Sequence, residues 1–197
     1  LTDFGINAAL FGMVAHGLIT GMLFFIAGSV KDRYHTLDIK RLGGMLLQAP
    51  KLGWILGFTV MASLGLPGLA GFWGEFPAIL SAYQPANGIP EEIFRGYMVV
   101  AAVGTVLAAG YLLWLLQRTA MGEPPEEFAN DPEIVDVKRT EWIAWAPFLF
   151  LIVLFGVAPG LIFEVTDPAV VESLNNCLQL EGGCEGVAAA TQAAFGG

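Results

Sequence analysis

Residues 63–76 read SLGLPGLAGFWGEF, and a lone carboxylate, Glu75, sits there a few residues beyond a Pro-Gly pair. From Leu52 to Pro90 no other residue carries a formal charge. A charged side chain in hydrocarbon is expensive. Either this stretch lies outside a membrane, or the carboxylate has a task inside one.

The surrounding sequence decides between the two. With 55% hydrophobic and only 14% charged residues, the 197-residue chain is too apolar for an ordinary soluble domain. Counting histidine as neutral, uncharged runs cover 4–30, 52–74 (continuing past Glu75 to about 83), 96–117 and 142–163. A helix needs roughly 20 apolar residues to cross a bilayer. The runs therefore predict an all-α integral membrane fold with four transmembrane helices, at about 4–30, 52–83, 96–117 and 142–163. The second is too long for one straight helix, and Leu66-Pro67-Gly68 predicts two half-helices with a break between them. Residues 1–170 form the transmembrane domain in this reading, and 171–197 an external C-terminal tail. The chain opens on Leu1 with no charged leader or cleavage site, which argues against a signal peptide and predicts the edge of something longer.

Loop charge orients the spans. Segment 31–51 holds Lys31, Arg33, Lys40, Arg41 and Lys51, and segment 118–141 holds Arg118, Lys138 and Arg139. The 83–95 loop has only Arg95, and no Lys or Arg follows Arg139. The positive-inside rule places 31–51 and 118–141 in the cytoplasm and the tail outside. Cys177 and Cys184 fall in that tail, where an oxidising exterior would permit a small disulfide loop or leave two unpaired thiols. A net charge of −9 and the lack of a basic stripe argue against a nucleic-acid partner. The sequence holds no nucleotide loop, redox cysteine cluster or hydrolase elbow, so covalent chemistry would fall to other chains.

Three positions could carry proton chemistry. Free carbonyls left by Pro67 and Pro77, nearby glycines and Glu75 together predict a wet pocket at membrane depth. Burial disfavours an ionised carboxyl and a neighbouring cation favours it, so a group balanced between them can exchange protons. Glu75 could instead sit solvated at the outer headgroups. His16 lies midway along the first run with Thr20 one turn later; it is either a relay or a neutral histidine bonded to a neighbouring helix. His35, among Asp32, Arg33 and Asp38, is a weaker candidate and could be an ordinary solvated loop residue. Gly12, Gly17 and Gly21 would let other helices approach closely.

The series MVAHGLITGMLFFIAGSVKDRYHTLDIKRLGG (13–44), ASLGLPGLAGFWGEF (62–76) and LLQRTAMG (115–122) resembles the C-terminal half of the M-type proton-pumping membrane subunit of bacterial NADH-quinone oxidoreductase, counterpart of mitochondrial NADH dehydrogenase subunit 4. The resemblance runs from about residue 8 to about 170, weakly over 118–141 and not over the tail. It implies the last helices of a fourteen-helix, antiporter-like subunit built from two inverted repeats, each with one broken helix. It also implies that Glu75 is the terminal protonatable group of a proton path and His16 its link to a lysine on an earlier helix; His35 belongs to the family pattern without a firm role. NADH, FMN, iron–sulfur clusters and quinone would reside on partner subunits, with no cofactor on this chain. The partners would be other membrane-arm subunits of respiratory complex I in a bacterial inner membrane. A subunit of a cation/proton antiporter or membrane-bound hydrogenase, or a purely structural membrane anchor, would account for the same residues.

Overall fold

The computed structural model describes residues 2–83, 85, 90–129 and 131–179, with side chains through 174, and every regular element among them is helical. In chain order these are α1 (Asp3–Tyr34), α2 (Met45–Gln48), α3 (Pro50–Ser63), α4 (Ala70–Ser81), α5 (Glu91–Ala120), α6 (Arg139–Val157) and α7 (Gly160–Gln179). Of the described helices, α1, α5 and α6 are long and apolar enough to cross a membrane. Whether Cys177 and Cys184 form a disulfide or stay unpaired lies outside what is described, since Cys184 and the Cys177 side chain fall beyond it.

α1 is the hub. Thr2 caps its start by accepting from the Gly5 N–H at 3.1 Å, with Asp3 in the first turn and Lys31 and Arg33 in the last, each charge suited to its end of the helix dipole. One stripe of it, Phe11, Ala15, Ile19, Met22, Ile26 and Val30, is buried at three- or four-residue spacing, and the helix packs against α3, α4, α6 and α7. Its tightest seam is with α4. Gly12 and Gly74 face each other so closely that a Cβ on Gly74 would collide with the Gly12 backbone. Gly21 lies against the Phe148 ring, whereas nothing in the described chain comes within 4 Å of where a Gly17 Cβ would stand.

Backbone geometry explains why α3 stops. Gly65 adopts φ 65°, a left-handed conformation that costs glycine little. Its N–H donates to Ala62 O at 3.2 Å, and the Leu66 N–H donates to Met61 O at 3.4 Å. This pair of bonds is the Schellman closure of a helix C-terminus. Pro67 is therefore not the residue that ends α3: the helix has ended at Ser63, and Pro67 and Gly68 only carry the chain to α4.

The fourth apolar run also divides differently from the expectation. Residues 142–163 do not form one helix; α6 ends at Val157 and α7 begins at Gly160. Pro159 has no N–H to continue the ladder and disfavours helical geometry at Ala158, which sits at φ −129° and ψ 62°. α7 then runs into the segment expected to be an unpatterned tail, reaching Gln179. It docks on α1 through Asn7, whose amide donates to Asp167 Oδ1 at 2.5 Å and accepts from the Thr166 hydroxyl at 2.7 Å.

At the other end of α1 a buried ion pair organises the loops. Arg33, counted above only among the basic residues of segment 31–51, is just 4% exposed. It reaches Glu141 with both Nη atoms, at 2.9 and 2.7 Å, and donates from Nε to Val135 O at 2.6 Å. The Lys138 N–H and the Ser29 hydroxyl also donate to the Glu141 carboxylate, at 2.6 and 2.5 Å. Asp136, the residue after Val135, serves a different helix: its carboxylate accepts from the Lys51 and Leu52 N–H groups, both at 3.2 Å. Those donors need an outside acceptor because Ala49, at the N-cap of α3, has no polar side chain.

Arg33→Met strands a largely buried carboxylate and is expected to cost about 3 kcal/mol, whereas Arg33→Met with Glu141→Met recovers most of it; thermal denaturation of the detergent-solubilised protein reads both. Gly74→Ala forces α1 and α4 apart at a cost of about 1–3 kcal/mol by the same measurement.

Candidate functional site

The break between α3 and α4 leaves space against α1. A cavity of about 230 Å³ lies there, lined by Gly12, Ala15, His16 and Ile19 of α1, Ala62 and Ser63 at the end of α3, and Gly71, Gly74 and Glu75 of α4. Its position follows from chain geometry. The Gly65 turn interrupts the helix where α3 gives way to α4, and the Gly12–Gly74 seam draws α4 onto α1. Glu75, one residue past the seam, is then left partly buried at the cavity wall.

Glu75 is held from two sides. The Thr105 hydroxyl of α5 donates to its Oε1 at 2.8 Å. Its Oε2 faces the backbone at Gly65, in space that a Cβ there would take. His16 enters the same cavity from α1, with the Thr20 hydroxyl 3.3 Å from its ring nitrogens. α4 is fixed beyond the acid as well: the Trp73 indole N–H donates to Gly156 O at 2.7 Å, satisfying one of the last carbonyls of α6. Pro77, buried within α4, offers no N–H to the Trp73 carbonyl.

Of the positions singled out in the sequence, Glu75 and His16 meet at one cavity, and Pro67 and Gly68 lie in the connection beside it. His35 does not join them. It follows His16 by nineteen positions, roughly 28 Å along a helix axis. Its side chain is 71% exposed and 3.0 Å from Glu133. Thr105 was not singled out, although it and Tyr111 bear the only hydroxyls between Met98 and Leu116. Among aliphatic neighbours that was an available signal. Nor did loop charge distinguish Arg33 from its basic neighbours, since sequence does not show which of them is buried.

The arrangement suits proton exchange: an acid and an imidazole, on different helices, share a recess walled by small residues and helix ends.

Residues 1–89 match the family described as NADH:quinone oxidoreductase/Mrp antiporter, transmembrane. The NADH-quinone oxidoreductase subunit M of Rhodobacter capsulatus is 34% identical over 172 residues, covering 87% of this chain and 32% of that protein. The NAD(P)H-quinone oxidoreductase chain 4 2 of Synechococcus sp. (strain JA-2-3B'a(2-13)) is 36% identical over 168 residues, covering 85% and 31%. Among solved structures, a chain of respiratory complex I from Thermus thermophilus with bound NADH superposes with a TM-score of 0.73 at 30% identity, covering 86% of this chain and 33% of that one. Residues 1–89 thus carry the NADH:quinone oxidoreductase/Mrp antiporter transmembrane domain, and over most of its length the chain is similar to M, or chain 4, proteins, spanning about a third of the length of the curated relatives it matches.

Proposed function

We propose that this chain forms the C-terminal part of a proton-translocating membrane subunit of NADH:quinone oxidoreductase. The observation that carries the reading is the cavity shared by Glu75 and His16 beside an interrupted helix. α3 and α4 together make one interrupted crossing; α1, α5 and the α6 region make the other three. Non-helical backbone is tolerated at such depth where protein or a water-filled cavity covers it, and a cavity of about 230 Å³ has room for several waters.

Protons would arrive laterally through those waters and His16, load Glu75, and leave from it toward the exterior. His16 can accept a proton at one ring nitrogen while releasing one from the other. Glu75 alternates between carboxylate and acid as ion pairs in the surrounding network form and break. The free energy comes from quinone reduction by NADH on partner subunits, which hold the FMN, iron–sulfur clusters and quinone; this chain holds no cofactor. Its neighbours are the other membrane-arm subunits and the lipid of a bacterial inner membrane. Loops 31–51 and 118–141 face the cytoplasm and residues 171–197 the exterior, and His35 takes no defined step.

The matching family also contains Mrp antiporters, so exchange of a cation for protons by the same residues is the second reading. Co-purification of flavin and iron–sulfur subunits supports the oxidoreductase; co-purification of small membrane proteins alone supports the antiporter.

In the assembled complex, Glu75→Gln is expected to lower proton pumping in proteoliposomes at least tenfold per complex, and His16→Ala several-fold. Lowered assembly with unchanged turnover per assembled complex would mark both residues as structural pins instead.

A further inference from the structure

Thr105 occupies an unusual place on α5. The helix is largely exposed and apolar, yet this half-buried hydroxyl turns onto the one carboxylate of α4. Its Oγ1 has two acceptors in reach: Glu75 Oε1 at 2.8 Å and Ala101 O, one turn back on its own helix, at 3.3 Å. A hydroxyl has one hydrogen to give and lone pairs to offer. It therefore donates to only one of the two at a time.

We infer that Thr105 is a positioning residue for Glu75, a rotating hydroxyl that serves the acid in both of its protonation states. When Glu75 is ionised, the Thr105 O–H donates to Oε1. When Glu75 takes up a proton on that oxygen, the Thr105 hydrogen swings to the Ala101 carbonyl. The freed lone pair then accepts the Glu75 O–H. No proton leaves Thr105 and no polar atom loses its partner in either state, so the carboxyl keeps its orientation at the cavity wall while its charge changes. A valine, equal in shape, offers neither donor nor acceptor.

The inference rests on the reading of Glu75 as a group that loads and releases protons. Among the described residues, His16 on α1 is the titratable group facing Glu75 across the cavity. α3 contributes Ala62 and Ser63 there. The α5 stretch between Arg95 and Arg118 and the α6 stretch after Glu141 bear no charge.

The test measures pumping per assembled complex against pH in proteoliposomes for the unmodified protein, Thr105→Ser, Thr105→Val, Thr105→Ala and Glu75→Gln. Infrared difference spectra identify the Glu75 carboxylic C=O band by its loss in Glu75→Gln. Thr105→Ser is expected to reproduce the original pH profile and band. Thr105→Val and Thr105→Ala should pump at least three-fold more slowly at neutral pH. Their pH profiles should change shape, because both protonation states of the acid lose a partner, and the band should shift. An original profile and band in either hydroxyl-free variant would overturn the inference. Full pumping by Glu75→Gln would instead overturn the reading beneath it.

Discussion

A helix that stops in an apolar environment must find partners for its last carbonyls, and the rest of this structure depends on how α3 does so. The left-handed turn at Gly65 closes the helix on itself through two backbone bonds. With those acceptors met, the chain can leave helical geometry for a few residues and resume it as α4, packed on α1. The recess between α1 and the ends of α3 and α4 lies at that interruption, and Glu75 reaches it because Gly74 has already brought the α1 and α4 backbones together.

A second constraint operates at the far end of α1. Arg33 is surrounded by acceptors from three places in the chain: Ser29 on its own helix, Glu141 at the start of α6 and the Val135 carbonyl in the loop. The loop is acidic and without regular structure between α5 and α6, yet Phe128, Ile134 and Val137 in it are buried. Gln48 helps to hold it, donating to Phe128 O at 2.6 Å while accepting from the Tyr34 hydroxyl at 3.1 Å. The start of α3 is thus positioned by a loop that composition alone would assign to solvent.

The difference between what sequence revealed and what it hid has a physical basis. Long uncharged runs predict helices well, because hydrocarbon leaves the backbone few alternatives, and the carboxylate in SLGLPGLAGFWGEF stood out for the same reason. The packing face of α1 was legible only at Gly12 and Gly21: lipid-facing and protein-facing residues are equally apolar, so no hydrophobic stripe marks the rest of the seam. The stop at Gly65 was obscured by the more conspicuous Pro67, and the role of Pro159 by the unbroken hydropathy around it. Burial of Arg33 and the aim of Thr105 depend on residues from distant parts of the chain, which spacing along one helix does not encode.

The indole of Trp73 has a mechanical consequence. α4 is gripped on one flank by a glycine-to-glycine seam and on the other by a hydrogen bond to the last turn of α6. Swivelling α4 about its axis would break both at once, so the helix behaves as a fixed bracket. Any switching of which compartment the acid communicates with then falls to torsions of a few side chains and the rewiring of solvent around them.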